Sequence, residues 1–114
     1  MKKNIILDLS FEFALEIIEF VEILEEKRKY VIAKQLLKSG TSIGANIREA
    51  QSAESKADFI HKFKIADKEI KETEYWLLLC QKAEKYPSPN VELFLHLKSI
   101  ENISSKIIIT SKKN

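Results

Sequence analysis

The stretch Ser55-Lys-Ala-Asp-Phe-Ile-His-Lys-Phe-Lys-Ile-Ala-Asp-Lys-Glu-Ile-Lys-Glu-Thr-Glu-Tyr-Trp-Leu-Leu-Leu-Cys80 decides the fold. Within it Phe59, Phe63, Ala66, Ile70, Thr73, Leu77 and Cys80 recur at alternating steps of 4 and 3, which is one apolar stripe along an α-helix. Stripes with this spacing pack against neighbouring helices at about +20°, the geometry of bundles. Ser55 and Asp58 have the spacing of a capping box, with Asp in place of the more usual Glu or Gln. Asp67 with Lys71 and Lys68 with Glu72 are i,i+4 pairs on the outer face. Pro87 and Pro89 cannot continue the helix, so the spacing predicts a helix over about 55–85.

Three further helices follow from the same periodicity. Over about 10–27, Phe13, Ile17, Phe20 and Leu24 form one stripe, and Phe11, Ala14, Ile18 and Val21 form a second beside it. Glu12, Glu16, Glu19 and Glu26 take the remaining face. A helix in a lone bundle needs an apolar stripe of only about 100°. The surplus implies either a second buried surface, hence self-association, or extra core filling by long side chains. Over about 30–53, Ile32, Leu36, Ile43, Ile47 and Ala50 point inward, with Gly40 and Gly44 inside the helix. Each glycine costs roughly 1 kcal/mol of helix propensity against Ala. Either the helix breaks at Ser39-Gly-Thr41, or the glycines admit a neighbouring backbone. Because the stripe keeps its phase across Gly40, one continuous helix, kinked or straight, is expected. Over about 89–110, Pro89 suits the first helical position and Leu93, Leu97, Ile100 and Ile107 face inward. The connections are short, so the expected fold is all-α, an antiparallel up-and-down four-helix bundle occupying 1–114 as a single domain.

Composition agrees. The chain has 114 residues, is 45% hydrophobic and 32% charged, and contains only 2 Gly and 2 Pro, too few turns for a β-sandwich or a wound α/β sheet. A domain of this length buries roughly 65% of its unfolded surface and needs no metal or disulfide to fold. The lone cysteine, Cys80, excludes an intrachain disulfide, fits a reducing cytoplasm, and sits on the core stripe as a small hydrophobe. The N-terminal Met1-Lys-Lys-Asn-Ile-Ile-Leu7 has too short an apolar run for a signal peptide, and no segment reads as a membrane span.

The net charge of +2 is weak, but its distribution is uneven. From Ser10 to Glu26 the chain carries acids and no base; from Lys27 to Lys38 it carries bases and no acid. The tail adds Lys106, Lys112 and Lys113. Acids ending the first helix could pair with bases starting the second. Alternatively Lys27, Arg28, Lys29, Lys34, Lys38 and Arg48 form a patch facing phosphates, which repetition in an oligomer would strengthen.

Catalytic motifs are absent or incomplete. Neither His61 nor His96 lies in a hydrolase motif. Asp58-Phe-Ile-His61 and Glu92-Leu-Phe-Leu-His96 match a helical di-iron set only loosely, without a second set, so no metal or other cofactor is expected. Arg48 and His61 stand too far apart for the Arg–His pair of helical toxin nucleases, and there is no Gly-rich phosphate loop. Ser42, Asn46 and Glu49 share a face of the second helix, and Glu72, Tyr75 and Trp76 lie on the third. If those faces meet, they make either a buried hydrogen-bonded network that fixes helix register or a ligand pocket, and the network is the expectation.

These residues carry a resemblance. Ser42-Ile-Gly-Ala-Asn-Ile-Arg-Glu-Ala50, Ser55-Lys-Ala-Asp-Phe-Ile60, Ile65-Ala66 and Glu72-Thr-Glu-Tyr-Trp-Leu77 resemble the four-helix bundle family encoded in 23S rRNA intervening sequences, also labelled S23 ribosomal protein. Many members carry Pro where this chain has Gly44 and Gly where it has Ala50, which bears on any helix break there. The resemblance implies an antiparallel four-helix bundle, a ring-shaped homopentamer and no established catalytic activity. A related branch, the accessory variability protein of diversity-generating retroelements, binds nucleic acid and a reverse transcriptase through a basic surface. The resemblance gives Ser42, Asn46, Glu49, Glu72 and Tyr75 a structural role. The expected function is therefore a non-enzymatic, cytoplasmic, oligomeric scaffold contacting RNA or DNA through its basic residues. The alternative is a ring-shaped protein-interaction adaptor that does not meet nucleic acid.

Overall fold

The computed structural model describes residues 4–113. The first residues of the N-terminal stretch, Met1 to Lys3, and the last residue of the basic tail, Asn114, lie outside the described residues. Four helices follow one another: α1 (Ile5–Glu26), α2 (Tyr30–Ala50), α3 (Lys56–Lys82) and α4 (Val91–Lys113). α1 packs on α2 and α4, and α3 packs on the same two, while the Cα atoms of the diagonal pairs stay more than 8 Å apart. That square arrangement is the bundle expected from the sequence. Its direction is read from the two ends. At one end Lys29, in the α1–α2 loop, places its Nζ 4.7 Å from the ring centre of Tyr86 in the α3–α4 loop. At the other, Asn4 Nδ2 donates to Gln51 Oε1 at 3.2 Å, joining the start of α1 to the end of α2.

The helix limits follow from local chemistry. α1 begins several residues before the expected Ser10, because Asn4 is its N-cap and its side-chain oxygen accepts from the Leu7 N–H at 3.3 Å. Ser10 is instead buried inside the helix, 1% exposed. α1 ends in a Schellman motif: Arg28 N–H donates to Glu25 O at 2.9 Å and Lys29 N–H to Leu24 O at 2.8 Å. Arg28 takes the left-handed conformation, φ 62°, that this motif usually gives to glycine. α2 stops at Ala50, three residues short of the expected end, and no side chain caps its start. At α3, Ser55 Oγ accepts from Asp58 N–H at 3.0 Å, as the spacing predicts. The Asp58 carboxylate reaches back to Glu54 N–H at 3.2 Å, one residue before the cap. α3 ends at Lys82, before the prolines. α4 starts two residues later than expected: Asn90 Oδ1 accepts from Glu92 N–H at 2.8 Å, and Pro89 lies buried ahead of the helix.

The core contains the expected stripes with small changes. Phe13, Ile17, Phe20 and Leu24 of α1 meet Leu36, Ile43, Ile47 and Ala50 of α2, Phe63 to Cys80 of the α3 stripe, and Leu93, Leu97 and Ile100 of α4. Ala33 takes the buried place expected for Ile32, which is half-buried, as are Phe59 and Ile107. α2 is continuous through both glycines. A methyl group on Gly40 would stand 2.8 Å from Ile17 Cγ1, and one on Gly44 would stand 3.3 Å from the Ser10 carbonyl oxygen. The glycines therefore serve close approach of α1 and α2, and the alternative of a break at Ser39-Gly-Thr41 is set aside.

Candidate nucleic-acid interface

The basic residues occupy one end and one long face of the bundle. Lys27, Arg28 and Lys29 form the α1–α2 loop, and the Schellman turn fixes the course of the backbone there. Lys34 and Lys38 follow on the exposed face of α2, and Arg48 lies on the same side of the helix roughly 15 Å beyond Lys38 at 1.5 Å per residue. The structure thus groups Lys27 to Lys38 near one end and sets Arg48 apart. Lys29 is half-buried and turned onto the Tyr86 ring, a cation–π contact that fixes part of its side chain. Arg48 lines a groove of about 120 Å³ between α1 and α2, together with Phe11, Ala14, Thr41 and Gly44.

Among the described residues, none of these six bases has an acidic partner within 4.0 Å. The pairing of acids ending α1 with bases starting α2, one of the two sequence readings, is therefore not formed. The nearest opposing influence is on Lys38, which pulls down the carboxyl of Glu69 on α3. Burial and the neighbouring Glu72 outweigh it, so the Glu69 carboxyl lies above the usual range.

The second face of α1 is partly open. Phe11, Leu15 and Ile18 are 53%, 43% and 40% exposed, and they stand at i, i+4 and i+7 on one face. Val21, expected in this stripe, is buried in the core instead. The apolar surplus on α1 is thus mainly a surface feature, with extra core filling accounting for Val21 and, in part, the half-buried Ala14.

The expected polar network does not form. Ser42 Oγ donates to Lys38 O at 2.6 Å, and Asn46 Nδ2 donates to Ser42 O at 2.9 Å, both within α2. Glu49 pairs with Lys62 of α3 at 3.0 Å, which raises the lysine's pKa. Glu72 accepts from Trp76 Nε1 at 3.1 Å, and Tyr75 is exposed against the edge of Trp76. These residues lie far enough from the core for local partners or solvent to satisfy them, so no joint network is needed. The buried polar contact between α2 and α3 is Ser39 with Thr73, their hydroxyls 3.0 Å apart, with Thr73 Oγ1 also 2.7 Å from Glu69 O. Sequence reasoning placed Thr73 in the stripe but missed its partner. Ser39 falls on the inward face of α2, and that was the available signal.

Two other groups complete the chemistry. Cys80 is 1% exposed, and burial pushes its thiol up to about 11, so it is no nucleophile. Elsewhere on the surface, Glu16 of α1 meets Glu92 and His96 of α4. The Glu92–His96 spacing is visible in the sequence, but the third member is brought in only by packing of the first helix on the last.

Among the described residues, no helix is long and apolar enough to cross a membrane. No curated protein matches the chain. A solved crystal structure of a protein of unknown function from the S23 ribosomal protein family of Bacteroides thetaiotaomicron is 45% identical, with a TM-score of 0.69, over 93% of this chain and 94% of that one. The 23S rRNA-intervening sequence protein family matches residues 2–108, which includes all of the α2 and α3 motifs and most of α4. With that span, and with the four-helix architecture in place, the chain belongs to the 23S rRNA-intervening sequence protein family.

Proposed function

We propose that this chain is a non-enzymatic, cytoplasmic scaffold that assembles with copies of itself and binds RNA or DNA through Lys27, Arg28, Lys29, Lys34, Lys38 and Arg48. The observation that carries the reading is the set of bases without acidic partners on the face of α2 and the adjoining loop, while α1 carries acids and no base. Unpaired cations along a rigid helix release counterions from a phosphate backbone, so binding falls steeply as salt rises. Self-association is supported by the exposed strip of Phe11, Leu15 and Ile18 beside the α1–α2 groove. The family resemblance implies five copies, and a ring would repeat the basic face around its circumference.

The test uses the full chain with labelled single- and double-stranded RNA and DNA over a salt series, beside light scattering for mass. A mass near five chains and salt-sensitive binding are expected. Lys34→Glu with Lys38→Glu should weaken binding to every sequence and flatten the salt dependence by about two phosphates' worth. Unchanged binding in that double variant removes the patch, and a monomer removes the assembly. A second reading, an adaptor for a partner protein, is favoured by Tyr75, Leu78 and Leu79, which leave α3 with exposed apolar side chains away from the α1 strip. A complex that survives high salt and nuclease treatment would select it.

A further inference from the structure

We propose that Glu16, Glu92 and His96 form a binding site for a divalent transition-metal ion that ties α1 to α4. The sequence alone led to no metal being expected, and the proposal rests on packing that spacing could not show. Glu92 and His96 are i,i+4 on α4, so one helical face presents a carboxylate and an imidazole together. Glu16 arrives from α1, its Oε1 2.7 Å from His96 Nδ1, and one ligand atom from each of the three residues lies within 4.8 Å of the others. Glu16 and His96 are 30% and 46% exposed at the side chain, so an ion in solution reaches them and their rotamers are free to close. An ion bound at about 2.0–2.2 Å from each donor would draw Glu92 in, spread Glu16 Oε1 and His96 Nδ1 slightly, and take the place of the hydrogen bond that now joins Glu16 to His96.

The electrostatics favour a cation here. Two carboxylates balance a divalent charge, and the two cavities that flank Glu16 contain no lysine or arginine. One, of about 430 Å³, is lined by Leu9, Glu12, Glu16 and His96. The other, of about 350 Å³, adds Glu19 but again no base. The run of acids on α1, which the nucleic-acid reading leaves without a role, supplies the surrounding negative field. An imidazole beside two carboxylates suits zinc, cobalt, nickel or manganese better than magnesium or calcium, which prefer oxygen alone. Three protein donors leave a coordination position open to water. The proposal is independent of nucleic-acid binding, which uses other faces of the molecule.

The experiment strips the untagged full-length protein with a chelator and titrates it with Co(II), then with Zn(II). The visible absorption of Co(II), the stoichiometry by calorimetry and the shift in melting temperature are followed. One cobalt ion per chain, an absorption band displaced by zinc, and a raised melting temperature are expected. His96→Gln, Glu16→Gln and Glu92→Gln should each lose the band and the thermal shift. His61→Gln, which alters the chain's other histidine, should keep both. Because the three donors lie on the surface, circular dichroism should show each variant folded. The absence of a band in the unmodified protein, or a band that persists in Glu16→Gln and Glu92→Gln, overturns the site.

Discussion

Gly40→Ala tests the account of how α1 and α2 approach each other. The added methyl contributes about 1 kcal/mol of helix propensity. It would also stand 2.8 and 2.9 Å from Ile17 Cγ1 and Cγ2, and 3.2 Å from Cδ1, closer than carbon atoms pack without displacement. Ile17 is fully buried and branched at Cβ, so neither γ carbon can swing away without leaving its rotamer well. Overpacking of this kind costs about 1–3 kcal/mol. The difference is a net loss of about 0–2 kcal/mol, and a central loss of about 1 kcal/mol lowers the melting temperature by about 4 °C for a domain of this size. Gly44→Ala faces a milder contact, 3.3 Å to the Ser10 carbonyl oxygen, and the propensity gain should bring it to within about 0.5 kcal/mol of the parent. Urea unfolding at fixed protein concentration reads both, since assembly would make stability concentration-dependent. A double-mutant cycle isolates the cause. The three atoms nearest a Gly40 methyl all belong to Ile17, so in an Ile17→Ala background, itself about 2–5 kcal/mol less stable, Gly40→Ala should stabilise. A stabilising Gly40→Ala in the parent, or the same effect in both backgrounds, would refute the close-approach argument.

Arg28→Gly should raise stability by about 0.5–1 kcal/mol, because Arg28 sits at φ 62° in the position where glycine relieves strain; chemical denaturation measures it. The same variant should weaken nucleic-acid binding through the lost charge, and a drop in stability would contradict the turn. Glu101 provides a pH test. Its hydrogen bond with Lys71, aided by Lys98, holds its carboxyl below the ordinary 4.5 despite partial burial. A depressed carboxyl stabilises the fold above the unfolded value and loses that contribution as pH falls through the folded one. Glu101→Gln should therefore cost about 0.5–1 kcal/mol near neutrality, and the gap to the parent should close in acid; urea midpoints at the two pH values check it. Glu69, whose carboxyl burial raises, has the opposite slope, so Glu69→Gln should not destabilise near neutrality.

The sequence by itself determined the four helices, their inward stripes and the all-α class, because helix formation and amphipathic burial are local patterns with a 3.6-residue period. It also exposed the separation of acid from base, since charge runs are visible without coordinates. Helix ends were less legible: Asn4 begins α1 and Asn90 begins α4 through side-chain hydrogen bonds that several nearby polar residues could equally have made. Tertiary structure alone decided which helices touch and which polar groups meet. The shared faces of Ser42, Asn46, Glu49, Glu72 and Tyr75 suggested a network, yet the rotation of α2 against α3 buried Ser39 and Thr73 instead. The purpose of Gly40 and Gly44 became clear only when Ile17 and Ser10 of α1 lay beneath them. Likewise Glu16 joins His96 across 80 residues of sequence, with Glu92 beside it, a proximity set by the square closing of the first helix on the last. Periodicity fixes which way a side chain faces on its own helix, while the rotation and register between helices depend on how all four sets of side chains pack at once.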